Sequence, residues 1–216
     1  YNEPDVPLNE RPEIDRWILS ELHTLINTVD KAYSDFEPTK AGQAIEQFVD
    51  GYLSNWYVRL CRRRFWKGEY STDKIAAYQT LYTCLETVAL LSSPVAPFFM
   101  DRLFNDLNAV TGRHGAISVH LADFPEADAD VIDKDLEARM ELAQKAASLV
   151  LSLRKRVEIR VRQPLARIMI PVLNSAFKEQ LEQVQSLILA EVNVKNLEYI
   201  TDTGVFVKKI KPDFKA

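Results

Sequence analysis

Residues 55–66 read NWYVRLCRRRFW, with four arginines, Arg59, Arg62, Arg63 and Arg64, set among Trp56, Tyr57, Phe65 and Trp66, and no acid between them. Guanidinium groups fork onto phosphates, and aromatic rings and guanidinium planes accept stacked, unpaired bases. That pairing of residue types points to single-stranded or looped RNA, where each stacked base contributes roughly 1–3 kcal/mol. A duplex reader needs base-edge readers along a helix lying in a groove, which this segment does not resemble.

The net charge of −4 hides a strong asymmetry. Residues 56–68 hold five basic side chains and no acid, residues 151–167 hold six and one, and residues 205–216 hold four and one. Three positive blocks in an acidic chain form the footprint of a polyanion partner. Basic residues near a helix C-terminus also complement the helix dipole, and arginine stems cover apolar surface. Neither effect calls for four arginines plus Lys67 among aromatic rings.

The rest of the chain offers little chemistry. No Gly-rich phosphate loop occurs and six glycines leave little room for one, and no nucleophile context or HExxH spacing occurs. The histidines, His23, His114 and His120, stand at no ligand spacing to each other or to a cysteine, so no metal site is expected. Cys61 and Cys84 are expected to be free thiols. No apolar run approaches the roughly 20 residues that span a bilayer, and the polar, Pro-bearing start does not resemble a signal peptide. Taken alone, the chain is expected not to be an enzyme.

The elements that position the cluster follow from periodicity. Ile14, Trp17, Ile18, Leu22, Leu25, Ile26, Val29 and Tyr33 recur with a period of 3.6 and predict a helix ending near Phe36. Thr39 is read as the N-cap of a second helix, from about Lys40 to Trp66, that stops at Gly68. On a wheel of 100° per residue, Ile45, Phe48, Val49, Tyr52 and Trp56 form its core stripe. Continued, the stripe meets Arg59, Leu60 and Arg63, so the core face is expected to turn cationic where the helix end projects from the bundle. Among the rings, Trp56 is the first candidate for the core.

Ser71 opens a third helix that Pro94 and Pro97 end, and a fourth covers Phe98–Leu107. Residues 108–132 read as irregular, with one short strand at Ile117–Leu121, and Asp133 caps a fifth helix carrying Leu136, Met140, Ala143, Ala147 and Val150. Beyond it the pattern changes. Val157, Ile159 and Val161 alternate with basic residues over Arg156–Arg162 and predict a strand, with Arg160 and Arg162 on one face. Strands at Ala166–Val172, Val194–Ile200 and near Val205–Ile210, and a helix at Ser175–Ala190, complete the reading. The fold class is mainly α. Residues 1–132 form a helical bundle (core helices at 10–110, an irregular loop at 111–132). Residues 133–216 form a long helix plus a small α/β module, expected to be cut short at its C-terminus.

RPEIDRWILSEL, FEPTKAGQAIEQFVDGYLSNWYVRLCRRRFWKG, SPVAPFF, SVHLADFPE, RVRQPLARIMI and EVNVKNLEYI occur in this order. Together they resemble the C-terminal anticodon-binding region of isoleucyl-tRNA synthetases, class I aminoacyl-tRNA synthetases, from about Arg11 to Ala216. The resemblance implies a bundle that packs on the anticodon stem and loop of tRNA, followed by a junction module that helps hold it. It implies RNA contact along Asn55–Trp66, with Asn55, Trp56, Arg59, Arg62, Arg63, Arg64 and Trp66 as the candidate residues. The basic blocks themselves add Lys67, and Arg160 and Arg162, whose row on the predicted strand would track a phosphate backbone or be a solvated face. The HIGH-like and KMSKS-like signatures of amino-acid activation are absent from this sequence, so no catalytic residue is assigned. ATP and Mg2+ would serve the parent enzyme, and the fragment itself is expected to hold no cofactor. Its partners would be isoleucine tRNA and the remaining synthetase domains, with no membrane, in a cytoplasmic monomer. The equivalent region of valyl-tRNA synthetases, a generic RNA-binding module and a helical scaffold are the competing readings.

Overall fold

The computed structural model describes residues 3–67, 69–172 and 174–200. The chain divides into two compact units, Tyr1–Glu137 and Ala138–Ala216. The third basic block and the strand expected near Val205–Ile210 lie outside the described residues, as does the stop at Gly68.

The first unit is helical. Helix α1 (Glu13–Ser34) carries Glu13 and Asp15 in its first turn, where acids complement the dipole, and buries Trp17, Ile18, Leu22, Leu25, Ile26 and Val29. It ends on a Schellman cap, with Phe36 N–H on Tyr33 O at 3.0 Å and Glu37 N–H on Ala32 O at 2.8 Å. Phe36 therefore takes the left-handed conformation (φ 57°) that glycine usually supplies. Helix α2 (Pro38–Glu46) opens on Pro38, not on a Thr39 cap, because proline's fixed φ suits the first turn. A π-helical stretch, Gln47–Val58, follows without a break, and α3 (Arg62–Trp66) completes the predicted second helix.

Helix α4 (Thr72–Ser92) is capped as expected by Ser71, whose Oγ accepts Lys74 N–H at 3.3 Å. Helix α5 (Pro97–Thr111) starts on Pro97 and ends at Gly112, whose φ of 62° only glycine adopts freely. Helix α1 packs on α2, the π-helical stretch and α4, and α4 packs on α3 and α5. The strand expected at Ile117–Leu121 is instead a 3-10 turn, Val119–Leu121. Asp101 explains the difference, since its Oδ1 accepts Ser118 Oγ–H at 2.7 Å and Val119 N–H at 2.9 Å, pinning Val119 among Ala89, Leu90 and Phe104.

Two features of this unit had no sequence signal. Gln79, on α4, holds the extended N-terminal segment by accepting Val6 N–H and donating to Pro4 O, both at 2.9 Å. Glu137 Oε1 accepts Ser20 Oγ–H at 2.6 Å and Thr24 Oγ1–H at 2.8 Å, tying α1 to the first turn of α6 (Lys134–Arg156). The expected cap of α6 is present, with Leu136 N–H on Asp133 Oδ1 at 2.9 Å.

The second unit holds a parallel two-stranded sheet, β1 (Leu165–Pro171) on β2 (Val194–Ile200), in register from Leu165↔Val194 to Pro171↔Ile200. Parallel strands need a crossover, here α7 (Ser175–Gln183) and α8 (Gln185–Val192), where the sequence predicted one helix. Leu181, Val184, Ile188 and Val192 of this crossover are buried, as are Met140, Ala143 and Ala147 of α6.

Candidate nucleic-acid interface

The π-helical stretch decides which side chains reach the surface. Bonding from residue i to i+5 widens the turn, so positions sharing a face fall farther apart than in an α-helix. The buried stripe runs Ala41, Ile45, Phe48, Leu53, Trp56, Tyr57 and Cys61, and Arg64 lies next along it. From Phe48 onward it is about one residue out of step with the 100° wheel. This corrects the expectation that the core face itself turns cationic: Tyr57, Cys61 and Arg64 point inward, while Arg59, Arg62 and Arg63 lie on the exposed side.

Arg64 is therefore a structural residue, its side chain 17% exposed. Its Nη1 and Nη2 grip Asp15 Oδ1 and Oδ2 of α1 at 2.6 and 2.8 Å, a two-pronged pair on a carboxylate fully removed from solvent. Nε donates to Asp73 Oδ2 at 3.0 Å and Nη2 to Asp73 O at 2.9 Å. The Tyr57 hydroxyl donates to Asp15 Oδ1 at 2.8 Å. Burial opposes the guanidinium charge, yet the bonds to Asp15 and Asp73 outweigh it and raise the Arg64 pKa. Burial first, then Asp15, also raises the Tyr57 pKa.

Arg64 Nη1 also touches Cys61 Sγ at 3.4 Å. Arg64 is thus the neighbour that favours the Cys61 thiolate. Burial prevails over it and pushes the Cys61 thiol up to about 11 from 9.0. An unfolded chain ionises Cys61 first, so this contribution to stability is fully present below about pH 9 and is lost as pH rises towards about 11. The expected outcome is a lower urea midpoint at pH 10 than at pH 8, with the difference reduced in Cys61→Ser. At pH 8 Cys61 should resist iodoacetamide in the native state and react once unfolded.

Phe65 is held against the unit by edge-to-face contacts with Tyr57 (6.3 Å) and Tyr78 (5.4 Å), and its carbonyl accepts the Tyr78 hydroxyl at 3.1 Å. With Arg64 and Phe65 inward, Arg62, Arg63, Trp66 and Lys67 face out together, and Trp66 is 78% exposed. Among the described residues Arg62, Arg63 and Lys67 have no acidic partner. Arg63 and Lys67 border an open groove of about 500 Å³ that reaches Ser71 at the start of α4. Asn55 is exposed and donates to Asp50 Oδ1 at 2.9 Å. Trp56 is 5% exposed, so it belongs to the core and has no open face for a base; Arg59 lies 6.0 Å over its ring.

In the second unit the strand expected over Arg156–Arg162 does not form. A Schellman cap stops α6: Glu158 N–H reaches Lys155 O at 3.2 Å and Ile159 N–H reaches Arg154 O at 2.9 Å, with Glu158 at φ 57°. Turns fill the segment up to β1, so Arg160 and Arg162 are exposed on a turn and do not share a strand face. Lys155 and Arg156 are exposed beside them. Each unit thus carries its own cationic surface.

The family model of the anticodon-binding domain of tRNA ligase matches residues 15–170, spanning both surfaces. The chain belongs to that family. It is 58% identical over its full length to an isoleucine–tRNA ligase of Bacteroides fragilis and 59% to one of Cytophaga hutchinsonii. To one of Porphyromonas gingivalis it is 56% identical over 99% of the chain. It spans about a fifth of the length of these relatives, covering 19%, 20% and 18% of them in that order. This similarity supports the isoleucine reading over the valine and generic RNA-binding ones.

Proposed function

We propose that this chain reads the anticodon stem and loop of an isoleucine-accepting tRNA, as one part of a longer, cytoplasmic, monomeric isoleucine–tRNA ligase. The observation that carries the reading is the outward group Arg62, Arg63, Trp66 and Lys67, with three cations not neutralised by an acid among the described residues and one large ring open to solvent. Looped RNA offers what this group lacks, phosphates for the cations and an unpaired base for the ring. Asn55 and Arg59 flank it from the preceding turns, and Arg160 and Arg162 supply further cations from the second unit. Attachment of isoleucine, with its ATP and Mg2+, would be the work of other domains of such a protein.

The test is a titration of the chain with isoleucine tRNA and a non-cognate tRNA at two salt concentrations. The expected result is binding that favours the isoleucine tRNA and weakens with salt, with a log–log slope of about −0.7 per single-stranded phosphate neutralised. Equal affinity for both tRNAs would leave a generic RNA surface. Absence of binding by folded protein at low salt would leave the helical scaffold.

A further inference from the structure

Arg154 stands out among the cations of the second unit because it is buried, 3% exposed, on the last turns of α6. Its guanidinium holds three backbone carbonyls from separate places: Nη1 donates to Arg160 O at 3.1 Å, and Nη2 donates to Gln163 O at 3.0 Å and Asn193 O at 3.1 Å. Among the described residues no carboxylate pairs with it, and its Nε is buried without a partner. A buried cation held only by carbonyls is an expensive way to tie down a turn. Asn193 completes the arrangement. It takes the left-handed conformation (φ 51°) at the end of α8, and its Nδ2 donates to Val161 O at 2.8 Å.

We infer that Arg154 is a positioning residue for RNA binding: its carbonyl cage fixes the 157–163 turn so that Arg160 and Arg162 present a preformed site for RNA backbone phosphates. The inference rests on the RNA reading proposed above. Every backbone group that Arg154 grips lies on that turn, at its exit or at the neighbouring end of α8. The two exposed arginines are thereby held without a strand, and the phosphate site does not have to order a mobile segment when RNA binds. The buried charge acts in the same direction, since it sits on the Arg160 carbonyl of that turn and a buried charge is less screened by salt than an exposed one.

The test measures binding of isoleucine tRNA against salt for the chain and its Arg154→Lys, Arg160→Ala/Arg162→Ala and triple variants. Lysine keeps the charge but cannot fork onto three carbonyls. Removing both surface arginines should reduce the salt slope by about 1.4, two phosphates at roughly 0.7 each. Arg154→Lys should weaken binding in the otherwise native chain and have little further effect in the double-alanine background. A merely structural role would lower binding by the same factor in both backgrounds, and that result, or unchanged binding by Arg154→Lys, overturns the inference. If the wild-type chain binds no RNA at low salt, the RNA reading itself fails, and this inference with it.

Should Arg154→Lys prevent folding, Asn193→Gly decides. It keeps the left-handed backbone and the Asn193 carbonyl and removes only the bond to Val161 O. Faster hydrogen exchange at the Ile159 and Gln163 amides, with weaker binding that again vanishes in the double-alanine background, supports the inference. Faster exchange with wild-type affinity overturns it, because the order of the turn would then not matter to RNA.

Discussion

Asp15→Ala destabilises the first unit by about 3–5 kcal/mol, the range expected when one partner of a buried ion pair is removed and the other keeps its charge. Arg64 would retain only Asp73 and the weak contact to Cys61, and the Tyr57 hydroxyl would keep only Ala77 O at 3.4 Å. The whole network hangs on one carboxylate that solvent does not reach. Urea unfolding of the variant against the wild-type chain reads the loss directly. The sharper test is the double replacement Asp15→Leu/Arg64→Met, which leaves no buried charge unpaired. It should recover a large part of the stability lost by Asp15→Ala, because apolar replacements of a complete buried pair are often neutral or better. A double variant as unstable as the single one would mean that Asp15 matters through something other than its charge.

Arg62→Ala/Arg63→Ala produces the opposite pattern. Both side chains are exposed, so stability should change by no more than about 0.5 kcal/mol. RNA affinity should fall by about 100-fold or more at low salt, from the loss of two charge-assisted contacts of roughly 1.5 kcal/mol each at the low end. The difference from wild type should narrow as salt is raised, since fewer counterions are released. Thermal unfolding and RNA titration on the same samples check both halves. Retained affinity would remove these two arginines from the interface even if RNA binds elsewhere on the chain.

The two predictions turn on neighbouring arginines, the inward Arg64 and the exposed Arg62 and Arg63, which the sequence alone did not distinguish. Periodicity revealed the helix, its aromatic core and its basic end, and even placed Trp56 in the core. It failed on orientation, because a wheel assumes one rotation per residue and Gln47–Val58 uses another. Nothing local marks Arg64 as an inward residue either, since its partner Asp15 lies 49 positions away on α1. The second unit shows the same limit. Val194–Ile200 was legible as a strand, while the alternation at Arg156–Arg162 suggested one that Arg154 and the cap of α6 prevent. Side-chain caps such as Ser71 and Asp133 were legible because they act within three residues.

The widened turn between Gln47 and Val58 also makes the chain's tolerance of length changes unequal. This stretch holds about one residue more than an ordinary α-helix would need to bring Tyr57 and Arg64 to the inner side. Shortening it by one residue at an exposed position such as Ser54 would let the backbone relax to standard winding with Arg62, Arg63, Trp66 and Lys67 still pointing outward. Adding a residue would swing them by a further arc of about 100° and turn the tip's charges towards the apolar interior. Sequences that vary in this segment should therefore lose a residue far more readily than gain one.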